Sequence, residues 1–212
     1  MLNSSGTVTW TNASGGNQGL IQTGNAAAIN NSGTWLDQTA FDVIVRNDFG
    51  GTQSNFNNTG VYTKSGAATT NIAIGFNNTS SGAGTGVVNV NAGILQLGGG
   101  GTSNGSFAGA GTLDFSGGTH TLTAASSVAN TNVVFSGGTT TLAGAYNASG
   151  STAFTGGTAN FTGTVANSGG ALTFSTSGGT ANFNNSAGVQ FSSLNMQAGS
   201  ISGAQAVTFT GP

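Results

Sequence analysis

The sequence predicts an all-β fold, a parallel β-helix (β-solenoid) with rungs of about 20 residues. Three observations carry this prediction. A short apolar phrase recurs at a nearly constant spacing, residues within each copy alternate between apolar and polar, and glycine pairs interrupt the copies. Repetition at a fixed period is typical of stacked repeat architectures, in which each repeat packs on its two neighbours.

The repeated phrase is clearest in the second half of the chain. Its copies are FSGGTHTL at 115–122, FSGGTTTL at 135–142, FTGGTANF at 154–161 and FSTSGGTANF at 174–183. We expect the column of opening Phe residues to continue at Phe191 and Phe209. An earlier pair, FNNTG at 56–60 and FNNTS at 76–80, has the same period of 20 residues.

Alternation within each copy predicts short strands, because successive side chains of a strand point to opposite faces. In GTTTL, Thr140 and Leu142 are expected to point inward, and Thr139 and Thr141 outward. Glycine pairs suit the corners between strands, where the backbone needs unusual dihedral angles. The glycine-rich stretch at 98–106 is predicted to be a longer loop inserted into one rung.

The first 50 residues fit the repeat least well. They contain both tryptophans, Trp10 and Trp35, and the charged run FDVIVRNDFG at 41–50. We interpret residues 1–50 as irregular N-terminal rungs or a partial cap, and residues 51–212 as the repetitive β-solenoid.

The scarcity of charge excludes several classes of partner. The net charge is −2, and Arg46 and Lys64 are the two basic residues. Binding nucleic acid requires many cations to neutralise phosphates, so no nucleic-acid partner is expected. The longest apolar runs are too short to span a bilayer, so no membrane insertion is expected. Because the chain has no Cys and no Asp recurring in its glycine-rich turns, we expect neither a metal nor another cofactor.

Four carboxylates are available for catalysis, Asp37, Asp42, Asp48 and Asp114. Glycoside hydrolysis needs two carboxyl groups facing each other across the scissile bond. Asp42 and Asp48 flank Arg46 on a short strand-like run, which we interpret as a solvated ion-pair cluster.

The single histidine, His120, occupies the position taken by Thr140, Ala159 and Ala181 in later copies. A histidine without a neighbouring nucleophile is weak support for catalysis. We interpret it as a tolerated substitution or a hydrogen-bonded core histidine. We therefore expect no enzymatic activity and no catalytic residue, and keep a polysaccharide-degrading enzyme as an alternative.

The outward positions of the repeats define a candidate binding face. Its members are Thr119, Thr121, Thr139, Thr141, Thr158, Asn160, Thr180 and Asn182. Thr favours strands, and Asn forms side-chain ladders between stacked strands, so the columns have a structural explanation. The alternative is a flat face that binds ice or a polysaccharide.

Several phrases resemble the degenerate repeats of very large bacterial surface proteins. They are NVNAGILQLGGGGTSNGSF, TLDFSGGTHTL, FSGGTTTLAG and LNMQAGSISG. Over residues 55–212 the chain is similar to the β-helical stalks of filamentous-haemagglutinin-like adhesins and autotransporter passengers. The resemblance implies an extracellular or cell-surface location and a non-catalytic structural or adhesive role, as a rod or filament. Candidate partners are further copies of the chain, stacked end to end through unpaired strand edges, and a carbohydrate or host-surface ligand.

Overall fold

The structure is a computed structural model that describes residues 1–15, 19–80, 86–165, 168–185 and 187–211. This part of the chain contains 25 strands and no helix. The strands are arranged in two long sheets, which we name sheet A and sheet B.

Sheet A has ten short strands in strictly ascending chain order. They are β1 (Leu2–Ser4), β4 (Ala28–Asn31), β7 (Asn55–Asn58), β10 (Gly75–Asn78), β13 (Gly101–Ser103), β15 (Thr119–Leu122), β17 (Thr139–Leu142), β20 (Thr158–Phe161), β22 (Thr180–Phe183) and β24 (Ser200–Ser202).

Sheet B contains the other fifteen strands. They are β2 (Thr7–Trp10), β3 (Ile21–Thr23), β5 (Thr34–Asp37), β6 (Val43–Asn47), β8 (Val61–Lys64), β9 (Thr69–Ile72), β11 (Val87–Val90), β12 (Ile94–Leu97), β14 (Ser106–Phe115), β16 (Ser127–Phe135), β18 (Ala145–Tyr146), β19 (Ser151–Phe154), β21 (Ser168–Phe174), β23 (Val189–Met196) and β25 (Val207–Phe209).

The chain visits the two sheets in turn. One strand in sheet A is followed by one long or two short strands in sheet B, and the chain then returns to sheet A beside the strand it left. The strand pairs within both sheets are parallel, as between β15 and β17 or between β5 and β8. A coil of stacked parallel strands is a parallel β-helix, so the predicted fold class is confirmed.

The strands keep their register even where the rungs differ in length. Asn31 and Asn58 are stacked neighbours 27 residues apart, whereas Asn58 and Asn78 are 20 apart. Later neighbours, such as Asn160 and Asn182, are 22 apart. The extra residues of the early rungs lie between strands and leave the pairing of β4 with β7 unchanged.

The core is filled by columns of stacked aromatic rings. Phe115, Phe135, Phe154 and Phe174 form one column, with ring centroids 5.5, 4.9 and 4.9 Å apart. In sheet A, Phe161 stacks on Phe183 at 4.8 Å. These rings are almost completely shielded from solvent, and burial of each contributes about 1.5–3 kcal/mol.

Two sequence expectations about the later rungs are wrong. The column of Phe174 continues at Met196, whereas Phe191 lies beside Ser168 and stacks on Phe209. The reason is that each turn has two inward-facing segments in sheet B, and Phe191 belongs to the first of them. The glycine-rich stretch at 98–106 is also not simply a loop, because it contains β13 and the start of β14.

A corner glycine illustrates why the repeats need SGG. Gly138 has a φ of 64°, and a Cβ atom there would lie 2.1 Å from the carbonyl oxygen of Gly118 in the rung below. An L side chain at this position would be strained and would clash with the neighbouring backbone. Gly118 has a φ of 65° as well, so the close stacking of these corners depends on glycine in both rungs.

The first 50 residues contribute β1 to β6, which pair with later strands of the same two sheets. Their core differs from that of the later rungs. Trp10 packs edge-to-face on Trp35, and Trp35 on Phe56. Beside these rings runs a buried amide ladder in which Asn31 donates to Asn58 at 2.7 Å and Asn58 donates to Asn78 at 2.8 Å.

Candidate functional site

The eight predicted site residues lie on the outward side of sheet A, in two adjacent columns. Strand pairing places Thr119, Thr139, Thr158 and Thr180 in one column. The other column, which we name the Asn/Thr column, runs the length of the sheet. Its members are Asn3, Asn30, Asn57, Asn77, Thr102, Thr121, Thr141, Asn160, Asn182 and Ser202.

The first part of the Asn/Thr column is a hydrogen-bonded amide ladder. Asn30 donates to Asn3 at 2.7 Å, Asn57 to Asn30 at 2.8 Å and Asn77 to Asn57 at 2.9 Å. The ladder ends where the backbone N–H of Thr102 donates to Asn77. Sequence reasoning did not identify this half of the column, although NNS at 30–32, NNT at 57–59 and NNT at 77–79 carry the signal.

A second ladder lies in the last rungs. Asn182 donates to Asn160 at 2.7 Å, and the hydroxyl of Ser202 donates to Asn182. In the neighbouring column, Ser200 donates to Thr180 at 3.2 Å. These side chains are therefore already engaged with each other.

Five threonines between the two ladders have unengaged hydroxyls. They are Thr119, Thr121, Thr139, Thr141 and Thr158, which we name the threonine patch. Within the described ranges no hydrogen bond involves their hydroxyls, and each of the five is exposed or half-buried. The predicted site thus divides into a hydroxyl patch whose groups make no hydrogen bond to the neighbouring described rungs and an amide part whose groups are shared between rungs.

The whole outward side of sheet A is uncharged. None of its ten strands contains Asp, Glu, Lys or Arg. The one ionisable side chain in these strands is His120, which points inward and is buried. The chemistry of this face is therefore limited to neutral hydrogen bonds and methyl contacts.

His120 is held by the core, as one of its two sequence interpretations expected. Its Nε2 lies 3.0 Å from the carbonyl oxygen of Leu97, and its ring packs edge-to-face on Phe115 at 5.1 Å. Burial lowers the pKa of His120, although its hydrogen bonds to backbone carbonyls oppose the shift. Strand pairing places it beside Thr140, in the inward column predicted from the repeats.

The exposed charges of the first rungs form local contacts. Arg46 Nε lies 2.7 Å from Asp48 Oδ2, and this hydrogen bond lowers the pKa of Asp48. Asp42 accepts the backbone N–H of Thr69 at 2.8 Å. Both contacts lie on the outside of the coil, at or next to its corners.

Asp114 is largely shielded although it lies on a long strand of sheet B. It accepts hydrogen bonds from Gln96 at 3.0 Å and Ser136 at 2.7 Å, the neighbouring rungs on either side. Burial raises its pKa. Over the described part of the chain, no three His, Cys, Asp or Glu side chains approach closely enough to hold a metal ion.

A buried polar cluster was missed by sequence reasoning. It comprises Asp37, Thr39, Tyr62, Lys64 and Thr70, and we name it the Asp37 cluster. Asp37 and Lys64 have no exposed side-chain surface, and they are paired neighbours in β5 and β8. The signal was the alignment of INNSGTWLD at 29–37 with FNNTGVYTK at 56–64, which places the two charges at the same position of successive rungs.

The Asp37 carboxylate accepts four hydrogen bonds. Thr39 donates to Oδ1 through its hydroxyl at 2.8 Å and its backbone N–H at 3.2 Å. Tyr62 and Thr70 donate to Oδ2 at 2.8 and 2.6 Å. Burial, together with the adjacent carboxylate, raises the pKa of Tyr62 well above its usual value.

Comparison of the chain with protein-family models, curated proteins and solved structures finds no match. The class of the protein, a parallel β-helix built from repeats, therefore comes from its own strand order. Among the described residues there is no helix with the length and apolar character needed to cross a membrane.

Proposed function

We propose that this chain is a non-catalytic structural or adhesive segment of an extracellular or cell-surface protein, in which it acts as a rod. The observation that carries the proposal is the register of the Asn/Thr column, which continues through all ten strands of sheet A. Stacked strands are about 4.8 Å apart, so nine steps give a length of about 43 Å. The similarity of the repeats to the stalks of large bacterial adhesins and autotransporter passengers supports the location.

The four carboxylates support a structural role. Asp37, Asp42, Asp48 and Asp114 each accept hydrogen bonds from other parts of the chain. Groups engaged in this way hold strands and corners together, which favours a spacing element over a polysaccharide-degrading enzyme.

The rod geometry can be measured with pairs of spin labels, because the chain has no cysteine of its own. Cysteine substitutions at Asn3 and Ser202, both exposed in the Asn/Thr column, should give a separation of about 43 Å between labels. The pair at Thr102 and Ser202, five strands apart, should give about 24 Å. Distances that do not rise in proportion to the number of strands would refute the rod.

The proposed location needs a separate experiment. An antibody against the folded chain should label intact cells that produce the protein, and external protease should remove the label. Labelling that requires permeabilised cells would contradict the extracellular proposal.

Sedimentation of the purified chain over a concentration series tests end-to-end self-association, which predicts a sedimentation coefficient that rises with concentration.

The threonine patch supports a second candidate function, binding to an uncharged surface that presents regularly spaced hydroxyls. Ice and insoluble neutral polysaccharides share this chemistry. A single exposed hydrogen bond contributes little against water, so affinity would require several rungs to bind together.

Two measurements distinguish the ligands. Co-sedimentation with cellulose or chitin detects binding to a polysaccharide, and thermal hysteresis detects binding to ice. Thr139→Tyr and Thr141→Tyr should abolish whichever activity is present, because the bulky ring interrupts the flat patch. Thr173→Tyr, at a half-buried outward position of sheet B, is the matched control and should leave it intact. Equal loss in the control would contradict a site on sheet A.

A further inference from the structure

Asp37 and Lys64 are the most unusual pair in the interior. They lie at the last positions of β5 and β8, and their backbones are direct partners in adjacent rungs. Both side chains point inward and neither has exposed surface. Their terminal groups are therefore held together by the register of the coil, in a space from which water is excluded.

The Lys64 amine lacks the partners that an ammonium group requires. An ammonium has three N–H donors, and among the described residues Nζ has one acceptor within hydrogen-bond distance, the carbonyl oxygen of Gly66 at 3.1 Å. Asp37 Oδ1 is 3.7 Å away, close but not hydrogen-bonded. Burial lowers the pKa of Lys64, with the opposing effect of Asp37 smaller. A lower pKa makes the neutral, nucleophilic amine easier to reach.

Hydrogen bonds fix the Asp37 carboxyl group in position beside the Lys64 amine, which can add to its carbon. Donors bind both oxygens, with Thr39 on Oδ1 and the hydroxyls of Tyr62 and Thr70 on Oδ2. Donors fixed at both oxygens also stabilise the negative charge that develops when a nucleophile adds to the carboxyl carbon. The nucleophile is already adjacent, so no loss of translational freedom opposes the reaction.

We propose that Lys64 and Asp37 condense to an amide bond that covalently joins two successive rungs. Nζ forms a bond to Cγ and one C–O bond of the Asp37 carboxylate breaks. The oxygen atom released leaves as water with two of the three protons of the Lys64 ammonium, and the third proton stays on the amide nitrogen. The net change is loss of one water molecule, with no oxidant, reductant or co-reactant.

The reaction depends on the cluster being dry. Condensation removes two buried charges, which a low-dielectric interior favours. Water released from the closed space does not return readily, so the amide is protected from hydrolysis while the coil is folded. The product would make separation of these two rungs impossible without breaking a covalent bond.

The test uses the wild-type chain, fully denatured, and requires no folded variant. Its intact mass should be lower than the sequence mass by one water molecule. Trypsin has two sites, Arg46 and Lys64, because the chain has no other basic residue. Acylated Lys64 resists cleavage, so residues 1–46 should remain attached to residues 47–212 as a single linked product.

Two variants identify the groups responsible. Lys64→Met removes the nucleophile but keeps an apolar side chain of similar length, and it should have the full sequence mass. Asp42→Asn, which alters an exposed carboxylate, should still form the linked product. Water loss that persists in Lys64→Met would overturn the proposal, because it would show dehydration elsewhere, such as a succinimide. A wild-type chain with full mass and three separate tryptic peptides would overturn it directly and identify the pair as an ordinary buried ion pair.

Discussion

Replacement of Phe135 by alanine tests the stacked aromatic core most directly. Its ring is fully buried and contacts three others, with Phe115 and Phe154 stacked above and below and Phe161 edge-to-face at 5.9 Å. Removing a buried Phe ring costs about 3–5 kcal/mol, and the cost is higher where the surroundings cannot collapse. Because the neighbouring rings are fixed by their own strands, we expect a loss of about 4 kcal/mol.

Guanidinium unfolding followed by circular dichroism measures this loss. With a denaturant slope of about 5 kcal/mol/M for a chain of this size, the midpoint should fall by about 0.8 M. Phe209→Ala is the matched control, because that ring is 37% exposed and has one stacked partner, Phe191, at 6.1 Å. Its midpoint should fall by less than half as much. A shift for Phe135→Ala below about 0.2 M would refute the view that continuous ring columns hold the rungs together.

Three further substitutions, the first with a matched control, test the polar interior. Asn58→Ala removes the buried hydrogen bonds that link Asn58 to Asn31 and to Asn78, and it should lower the free energy of unfolding by about 3 kcal/mol. Asn57→Ala, on the outward side of the same strand, is its control and should lower the free energy of unfolding by less than about 1 kcal/mol. The folded pKa of His120 lies below its ordinary 6.5, so the protein should lose stability as pH falls from 6.5 towards that folded pKa. The melting temperature of His120→Thr should therefore fall less than that of wild type over the same pH range. The folded pKa of Asp114 lies above its ordinary 3.8, so ionisation of this group should destabilise the fold as pH rises from 3.8 through the folded pKa. Asp114→Asn should therefore have a higher melting temperature than wild type at neutral pH. Equal effects of the two Asn substitutions, or unchanged pH profiles, would contradict these assignments.

The sequence was sufficient for the fold class and for the register of the later rungs. The repeated phrases align Thr139 with Thr119 and Thr140 with His120, and the strand pairing has the same partners. This works because the phrase includes both an inward and an outward position, so its repetition fixes which face each residue occupies. The same reasoning failed for Phe191, because counting Phe residues alone cannot distinguish two inward segments within one turn.

The candidate sites show where sequence reasoning stops. The outward columns followed from alternation, but the division into engaged amides and free hydroxyls depends on side-chain geometry between rungs. The Asp37 cluster was missed because the first rungs are longer than the expected period. Once Asn31 and Asn58 are recognised as stacked neighbours 27 residues apart, Asp37 and Lys64 fall in register as well.

The outward face of sheet A has two features, its columns of threonine and its lack of charge. The packing of the core explains the first feature but not the second. Alternation means that a slip of one residue would exchange Thr139 and Thr141 with Thr140 and Leu142, so the apolar core alone keeps the threonines in columns. Strand propensity then accounts for the choice of threonine. Neither effect excludes charged residues, which make up about a quarter of an ordinary globular chain but 3% of this one. Exposed charge favours solubility and keeps like surfaces apart, so its absence from ten consecutive strands is costly to a free rod. A face that lay against another uncharged surface would not carry this cost, so the neutrality of sheet A, more than its regular threonines, is the reason to test for contact with a neighbour.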